Sequence, residues 1–256
     1  MAADEYVSFC EGLRRIAGVD LAQYKRQQME RRIRTYVARS DERQSLNEFL
    51  RVIERDAGAL DAFLDRVTIN VSELYRNPEQ WEALRTKVIP ALPGATLKVW
   101  SAGCSYGAEA FTVASMCADL GRRVQVIGTD IDRRIVARAK RGWFSDADMR
   151  HVPPKIAQRY FRQASGGWEA APDLHRSVAF RTGDLLRDRY ETGFDLVLCR
   201  NVVIYFNDDA RDHVHRGLAA SLRPGGFLMV GSTERVADAP GLGLAPAHPF
   251  IYRKAA

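Results

Sequence analysis

Residues 97–132 read LKVWSAGCSYGAEAFTVASMCADLGRRVQVIGTDID. The stretch opens with a short apolar run that ends in glycine, as a buried parallel strand does, and Gly103 and Gly107 then enclose a tight turn. Apolar side chains at helical spacing over residues 108–120 predict a helix packed on a sheet. A second apolar strand follows and ends at Asp130. The sequence therefore predicts a strand, a glycine turn, a helix and a second strand that ends in a carboxylate.

Such a unit typically binds a cofactor that contains a nucleoside. The turn lets the backbone approach the ligand, and a carboxylate can accept hydrogen bonds from two ribose hydroxyls. A dinucleotide site would need the pattern G-x-G-x-x-G for its pyrophosphate, whereas here Glu109 lies just inside the helix. An acid at that position would repel a phosphate and suits a cationic amino acid group, which favours S-adenosylmethionine over NAD. The alternative is a purely structural strand-to-helix turn in another α/β protein.

The rest of the chain extends this unit into a two-domain pattern. Further strands are predicted at residues 178–181, 194–199, 227–230 and 249–253, and a helix at residues 208–222. Alternating strands and helices imply an α/β fold with a doubly wound, mainly parallel sheet that binds ligands at the carboxyl ends of its strands. Residues 1–90 show only helical patterns and predict a small helical domain. Residues 91–96 are predicted to be a linker, and residues 97–256 the second domain.

The bulk composition excludes several classes of protein. The 256 residues are 46% hydrophobic, which is ordinary for a folded soluble protein, and no run of about 18 apolar residues predicts a membrane span. The N-terminus does not show the order of a signal peptide. The five histidines form no ligand pattern, so no metal is expected. The cysteines have no paired spacing and are expected to be reduced core residues of a cytoplasmic protein; they are Cys10, Cys104, Cys117 and Cys199.

Basic residues are partly concentrated in one predicted helix. The formal net charge is +6 and the pI is near 9.3, and residues 25–39 carry six Lys/Arg against one acid. A helix over residues 21–38 would place Arg31 and Arg34 on the side opposite its apolar stripe, with Tyr24 near them. This face would suit an acidic partner, and the alternative is an ordinary solvated helix face.

Five segments closely resemble one protein family. They are TINVSELYRNPEQW at residues 68–81, VWSAGCSYGAEAFTVA at 99–114, GTDID at 128–132, LVLCRNVVIYF at 196–206 and RPGGFLMVGSTE at 223–234. They are similar to the catalytic-site segment, glycine turn, ribose-binding strand end, CRNVLIYF signature and penultimate strand of the CheR family. These are the chemotaxis receptor protein-glutamate methyltransferases, which use S-adenosylmethionine. The resemblance runs from the predicted helix around Tyr24 to Glu234.

The resemblance implies both a fold and a cofactor. The fold would be a small N-terminal all-helical domain followed by a doubly wound, Rossmann-like methyltransferase sheet whose last strand is antiparallel. The cofactor would be S-adenosylmethionine, released as S-adenosylhomocysteine, with Asp130 on the ribose hydroxyls and the turn from Gly103 under the methionine part. The other implied cofactor contacts are Asn70, Ser72, Arg76, Glu109, Asp184, Arg200 and Asn201. Arg200 and Asn201 would act through their backbone, and the Arg200 side chain is expected to pair with an acid.

The implied reaction transfers a methyl group to glutamate carboxylates of receptor helices. A glutamate is already ionised at neutral pH, so the site needs no general base and must instead align and desolvate the carboxylate. Arg76 is the candidate that holds one carboxylate oxygen while the other attacks, and Tyr205 would help to orient the reacting groups. Tyr24, Arg31 and Arg34 would contact glutamate-rich receptor helices. The expected protein is a cytoplasmic monomer that neither binds nucleic acid nor inserts into a membrane.

This chain departs from the family pattern at several positions. Ala108 replaces the first of two usual glutamates, Leu74 replaces one of an aromatic pair, Tyr106 replaces a threonine, and Asp184 replaces an asparagine. Ala108 motivates an alternative function, a cofactor-binding regulatory or scaffold protein with weak or no catalysis. The positive charge motivates another, a nucleic-acid methyltransferase, but the sequence lacks a base-flipping motif of the Asn-Pro-Pro-Tyr type.

The three principal candidates also have structural alternatives. Arg76 could be a solvated arginine at a helix start, and Tyr205 could be a core aromatic residue at the end of a strand. Asp130 could cap the helix that follows it.

Overall fold

The chain folds into two compact units. The computed structural model describes residues 4–40, 44–67 and 72–255. One unit comprises Met1–Asn70 together with Tyr205–Arg211, and the other comprises Val71–Ile204 together with Asp212–Ala256. The first unit is therefore built from two separate stretches of the chain.

Amphipathic helices build the first unit. They are α1 (Glu5–Ala17), α2 (Arg26–Ser40), α3 (Leu46–Arg55) and α4 (Ala57–Val67), with a short 3-10 turn at Leu21–Gln23. Phe9, Phe49 and Phe63 form an aromatic core with ring centres 5.2–6.4 Å apart. The Tyr205–Arg211 stretch joins this unit where the Lys25 backbone N–H donates to the Tyr205 carbonyl (2.9 Å). The all-helical character predicted for the N-terminal region is confirmed.

A seven-stranded sheet lies at the centre of the second unit. The strands of this unit are β1 (Thr96–Ala102), β2 (Arg123–Asp130), β3 (Trp143–Phe144), β4 (Phe161–Ala164), β5 (Gly167–Ala170), β6 (Val178–Thr182), β7 (Phe194–Cys199), β8 (Leu222–Val230), β9 (Leu244–His248) and β10 (Ile251–Lys254). The large sheet has the order β6-β2-β1-β7-β8-β10-β9, and β3, β5 and β4 form a separate small sheet. Neighbours from β6 to β8 are parallel, whereas β10 is antiparallel to both β8 and β9. This confirms the predicted doubly wound sheet with an antiparallel last strand.

Helices cover the large sheet. They are α5 (Pro78–Ala83), α6 (Ile89–Ala91), α7 (Ala108–Asp119), α8 (Arg133–Ala139), α9 (Pro154–Tyr160), α10 (Pro172–Ser177) and α11 (Asp208–Ser221), and a π-helical stretch, Leu84–Val88, connects α5 to α6. Every residue of α7 from Ala108 to Cys117 is buried, because this helix packs against β2 on one side and against α9 and α10 on others. The core on this face of the sheet includes Val99, Val126 and Leu196.

The boundary between the units differs from the one predicted from the sequence. The sequence predicted a helical domain over residues 1–90, whereas the compact units divide after Asn70. The helical run from α5 to α6 belongs to the unit that contains the sheet, because Trp81, Leu84 and Ile89 are buried in the same core as β1. Helical periodicity identifies the helix but carries no information about which domain it packs against.

Other differences concern short elements. Helix α9 ends at Tyr160, and the chain continues directly as β4, which the sequence did not predict. Strand β8 begins at Leu222, five residues before the predicted strand, and β9 was not predicted. The helix predicted to start at residue 21 begins only at Arg26, because Tyr24 is extended and lies in a β-bridge with Phe206. These short strands and the bridge at Tyr24 form by pairing with other segments of the chain, and a local sequence pattern does not reveal such pairing.

Candidate functional site

The glycine turn lies at the carboxyl ends of β1 and β2. Gly103 has φ = +73°, and a Cβ atom there would lie 2.5 Å from Val202 Cγ2, so only glycine fits. The N–H groups of Gly103 and Cys104 both donate to the Thr129 carbonyl at 2.9 Å, which ties the turn to β2. Ser105 also has a positive φ of 49°. Glycine is therefore required at residue 103 by the close packing of Val202 against the turn, and the approach of a ligand to this backbone stays a prediction.

Asp130 lies at the end of β2 beside this turn. Its Oδ2 accepts from the Ser105 N–H (2.8 Å) and its Oδ1 from the Asp132 N–H (3.1 Å). Burial raises the pKa of this carboxyl above its usual range, while the two backbone donors oppose the rise. Each carboxylate oxygen can accept more than one hydrogen bond, so both oxygens keep capacity for further donors. Asp132, and not Asp130, caps α8, so the capping alternative for Asp130 is wrong.

A short segment, residues 72–77, carries the candidate catalytic arginine and is named here the Arg76 segment. Tyr75 and Asn77 have positive φ angles of 55° and 59°, a conformation that non-glycine residues keep only with support from their surroundings. Part of that support is a hydrogen bond of 3.0 Å from the Tyr75 N–H to Thr112 Oγ1. The Arg76 side chain is half-buried. It is therefore not a fully solvated helix-start arginine.

Arg200 pairs with an acid, as expected, and also holds the Arg76 segment. Its Nη1 lies 3.5 Å from Glu109 Oε2, and its Nη2 donates to the Arg76 carbonyl (2.9 Å) and to Gln80 Oε1 (2.5 Å). Its guanidinium also lies over the Trp81 ring at 4.8 Å. Burial lowers the pKa of Arg200, and the charge of Glu109 opposes that shift. The side chain is 3% exposed, so its role is to hold neighbouring groups in place.

Glu109 is held on both of its oxygens. Its Oε1 accepts from Ser101 Oγ (2.7 Å) and its Oε2 faces Arg200. Burial raises the pKa of Glu109, which the charge of Arg200 opposes. The sequence indicated Glu109 as a partner for a cationic group, and the structure places it beside a cationic side chain of the protein itself.

Glu234 was matched in a motif but was given no role by the sequence reasoning. Its carboxylate accepts from the backbone N–H groups of Asn201 (2.8 Å), Val202 (3.1 Å) and Gly231 (2.6 Å). Asn201 has a positive φ of 60°, so this carboxylate holds an otherwise unfavourable turn at the end of β7. The only sequence signal for this structural role of Glu234 was its position three residues after Gly231, which follows the end of β8.

Asp184 follows β6 in a turn closed by its own side chain. Its Oδ1 accepts from the Leu186 N–H (2.8 Å), and its N–H donates to Asp188 Oδ2 (2.8 Å). Asp184 also borders a cavity of about 350 Å³ whose lining includes the aromatic residues Trp100 and Tyr190. The cavity therefore combines aromatic surface with a hydrogen-bond acceptor.

The first unit carries a basic groove of about 580 Å³. Its charged lining residues are Lys25, Arg31, Arg32, Arg39 and Arg66, and none of the described residues that line it is an acid. Tyr205 lies in the first unit and lines the same groove. We name this feature the basic groove.

The three predicted docking residues, Tyr24, Arg31 and Arg34, have different surroundings in the structure. Arg31 lines the basic groove, whereas Arg34 makes ion pairs with Glu30 (2.9 Å) and Glu5 (3.2 Å). Tyr24 packs edge-to-face on Phe206, with ring centres 5.1 Å apart.

The sequence reasoning missed four cations of the groove. Three of its lining residues, Lys25, Arg32 and Arg39, are spaced by seven in the sequence, which puts them on one helix face and was a usable signal. Arg66 belongs to α4, and no local pattern links it to α2.

The predicted cofactor-binding residues that the structure describes lie in one unit. Ser72, Arg76, Gly103, Glu109, Asp130, Asp184, Arg200 and Asn201 all belong to the second unit. Asn70 lies outside the described residues. Within residues 4–40, 44–67 and 72–255, no group of three His, Cys, Asp or Glu side chains could hold a metal ion, and no helix there is long and apolar enough to cross a membrane.

The chain matches two domains of one protein family. Residues 4–68 match the CheR methyltransferase all-alpha domain, and residues 70–242 match the CheR methyltransferase SAM binding domain. The chain belongs to the CheR methyltransferase family. The boundary between the two matched regions, at residues 68–70, agrees with the division between the compact units. The cofactor of this CheR-family chain is S-adenosylmethionine.

Individual relatives agree with the family. The chain is 36% identical to the chemotaxis protein methyltransferase of Listeria monocytogenes, over 98% of this chain and 97% of that protein. It is 32% identical to chemotaxis protein methyltransferase 1 of Pseudomonas aeruginosa, over 77% of each chain. Among solved structures, a TehB-like SAM-dependent methyltransferase from Corynebacterium glutamicum is similar at a TM-score of 0.41 and 17% identity, covering 69% of this chain and 93% of that one.

One side chain of this CheR-family chain fits the cofactor directly: Asp130 keeps acceptor capacity where the turn meets β2. The carboxylate of Glu109 is shared with Ser101 and Arg200, so a cofactor amino group would compete for it with groups of the protein.

Proposed function

We propose that this CheR-family chain transfers a methyl group from S-adenosylmethionine to glutamate side chains of chemoreceptor helices, which yields glutamate methyl esters and S-adenosylhomocysteine. The observation that carries the proposal is the basic groove, in which the described lining residues include five cationic side chains and Tyr205 but no acid. An extended surface of this kind is complementary to a helix rich in glutamate. The relatives named chemotaxis protein methyltransferases support the same substrate class.

The chemistry asks little of the protein beyond positioning. S-adenosylmethionine, when bound, supplies a methyl group on a positively charged sulfur. The nucleophile is a glutamate carboxylate, which is ionised at neutral pH and needs no base. The protein must strip water from that carboxylate and align it, and alignment of this kind can supply roughly 7–11 kcal/mol of the barrier.

Arg76 is our candidate for holding the carboxylate. A guanidinium can hold one carboxylate oxygen with its fork and leave the other oxygen to attack. The backbone on both sides of Arg76 is fixed, by the Arg200 contact with its carbonyl and by the Tyr75 contact with Thr112. The geometry of the segment is therefore set before any substrate arrives. We propose that the Tyr205 hydroxyl assists in orienting the reacting groups.

The proposed cofactor contacts follow from the sequence motifs and the positions described above. Asp130 would accept from the ribose hydroxyls, and the turn from Gly103 would lie under the methionine part. Asp184 would accept from the adenine amino group. The remaining proposed contacts are Asn70, Ser72, Arg76, Glu109, and the backbone of Arg200 and Asn201. We also propose a cytoplasmic monomer as the working form.

We infer that the docking surface for the receptor is the basic groove rather than the whole exposed side of α2. Arg31 lines the groove, together with Arg32, Arg39 and Arg66. Arg34 is engaged by two acids of its own unit, so it has less charge to offer a partner. Tyr24 would contribute through its packing on Phe206.

Release of methanol in alkali tests the proposed function. The enzyme is incubated with S-adenosylmethionine carrying a labelled methyl group and with receptor fragments that contain glutamate at their methylation sites. A matched fragment carries glutamine at the same sites. We expect label that is released as methanol in base from the glutamate fragment only. Label that is stable in base, or equal labelling of both fragments, would disprove glutamate ester formation.

A second candidate function is a cofactor-binding scaffold with weak or no catalysis. It is favoured by one observation: Ala108 lacks the carboxylate usual in the family, and the neighbouring Glu109 is shared with Arg200. Titration calorimetry with S-adenosylmethionine separates the two functions. Tight binding without methanol release from the receptor fragment would favour the scaffold.

A further inference from the structure

Tyr106 is the fourth residue of the five-residue glycine turn, at a position where the family usually has a threonine. It is 5% exposed, and the guanidinium of Arg138 lies 4.1 Å from its ring centre. Its hydroxyl donates to the Ser72 carbonyl and also lies 2.8 Å from Asp148 Oδ1. The phenol thus connects the cofactor turn to the start of the Arg76 segment, a link that a threonine side chain is too short to make.

Asp148 holds the same segment through its backbone. Its carbonyl accepts from the Leu74 N–H (3.2 Å), and its Oδ2 accepts from the Ser145 N–H and Oγ, both at 2.8 Å. An ion pair of 3.4 Å between Arg150 and Glu73 adds a further contact. Residues 145–150, named here the Asp148 turn, therefore contact the Arg76 segment at several consecutive residues.

We propose that Tyr106, seated by Asp148, is a positioning residue that fixes the Arg76 segment against the glycine turn for methyl transfer. The proposal rests on the function proposed above, in which Arg76 holds the substrate carboxylate. Arg200 fixes the Arg76 carbonyl and Thr112 fixes Tyr75, but neither reaches Ser72. Tyr106 is thus the described side chain that ties the start of the segment to the cofactor turn.

The reason that this contact matters is geometric. The Tyr106 hydroxyl has one proton, and it lies between two acceptors, the part-buried Ser72 carbonyl and Asp148 Oδ1. Without the hydroxyl, these two acceptors lose that proton. The segment can relieve this by shifting, and a displacement of about 1 Å at a transfer site can cost on the order of 100-fold in rate. The Asp130 carboxylate, which is assigned to the ribose hydroxyls, is held by the N–H groups of Ser105 and Asp132 and not by this hydroxyl.

The test compares Tyr106→Phe with a matched control, Tyr252→Phe. Both remove one hydroxyl from a buried tyrosine of the second unit. The Tyr252 hydroxyl accepts from the Val236 N–H (3.3 Å) and has no contact with the Arg76 segment among the described residues. We expect Tyr106→Phe to lower kcat for receptor methylation by roughly 10- to 100-fold, with KM and the Kd for S-adenosylmethionine changed less than about threefold. Tyr252→Phe should leave all three values within about twofold.

Hydrogen exchange provides a readout that does not depend on activity. In Tyr106→Phe, exchange of the Leu74 and Tyr75 amides should quicken by about tenfold or more, while amides of β7 keep their protection. Asp148→Asn, which keeps the side-chain shape, should quicken the same two amides. Unchanged exchange at Leu74 and Tyr75 would overturn the proposal, and so would quickened exchange with normal kcat. If the wild-type enzyme formed no methyl ester, the proposed function would fail, whereas the exchange result would still decide whether Tyr106 holds the segment.

Discussion

At the scale of single residues, the motif positions could be predicted but their contacts could not. The sequence placed Gly103 just after one strand and Asp130 at the end of the next, and the structure has both there. Their roles toward the cofactor stay predictions. The sequence analysis assigned Glu109 as the partner of a cationic group of the cofactor. No local pattern could show that Glu109 also pairs with the side chain of Arg200, which lies 91 residues away in the sequence. The buried pair forms only when β1, α7 and β7 assemble.

Asp130 provides the residue-scale prediction for the cofactor. Replacing it by alanine should weaken S-adenosylmethionine binding by about 1.5–3 kcal/mol, the usual effect of losing charge-assisted hydrogen bonds. The measurement is titration calorimetry on the folded variant. Asp173→Ala is the control, because the Asp173 side chain is 83% exposed and its ion pair is with Arg176, one turn away on α10. Equal affinities for the Asp130 variant and the wild type would refute the ribose assignment.

At the scale of elements, α2 was predicted to have a basic side. In the structure, the basic residues of this helix fall into two sets, those that line the basic groove and those that are paired with acids. Lys25, Arg32 and Arg39 line the basic groove at a spacing of seven residues, whereas Arg34 is bound to Glu30 and Glu5. The sequence could give the helix and its charge. It could not say which arginines are paired, since Glu5 comes from α1 and Arg66 from α4.

This division predicts unequal effects for two similar charge reversals. Arg31→Glu should lower the receptor kcat/KM by roughly tenfold or more at low salt, because it puts an acid into a groove that binds an acidic helix. Arg34→Glu should lower it much less and should mainly reduce stability, because it sets three acids beside one another. Steady-state kinetics and thermal unfolding of both variants supply the comparison. A larger kinetic defect in Arg34→Glu would contradict the assignment of the groove.

The Glu30 carboxyl predicts a pH dependence for the first unit. Although burial opposes the shift, hydrogen bonds from Arg26 and Arg34 hold the pKa of Glu30 below its usual 4.5. A carboxyl with a lowered folded-state pKa stabilises the fold above its unfolded pKa, and that contribution is lost as pH falls through the folded value. Protection of α2 amides should therefore decline below about pH 4.5 in the wild type. In Glu30→Gln, this protection should decline less as the pH falls. Identical pH profiles for the variant and the wild type would show that the Glu30 carboxylate does not stabilise the first unit.

At the scale of the whole molecule, fold class could be predicted but the division into units could not. Alternating strands and helices, with one antiparallel strand implied by the resemblance, led to the observed sheet. The division after Asn70 and the assignment of Tyr205–Arg211 to the first unit depend on which surfaces become buried together. Tyr205 shows the limit clearly, since its motif belongs to the methyltransferase domain whereas its contacts place it in the helical unit.

The net charge of +6 predicts a salt dependence of the reaction. Exposed charges are screened over a Debye length of about 8–10 Å near physiological ionic strength, so encounter with an acidic receptor helix should weaken as salt rises. Receptor KM should increase between about 0.05 and 0.5 M salt, while kcat stays nearly constant. The Kd for S-adenosylmethionine, measured over the same range, is the control. A KM that does not respond to salt would argue against electrostatic docking.

The central claim is that Arg76 aligns the substrate carboxylate for methyl transfer. Single-turnover measurements with saturating S-adenosylmethionine and receptor fragment test it most directly, because they isolate the transfer step from binding and product release. We predict that Arg76→Ala lowers the single-turnover rate by about 100-fold or more, and that Arg76→Lys restores only part of it because a lysine lacks the planar fork. Because Arg76 is one of several proposed cofactor contacts, cofactor affinity should fall in both variants by much less than the rate. A single-turnover rate close to that of the wild type in Arg76→Ala, or a loss of rate matched by an equal loss of cofactor affinity, would contradict the claim.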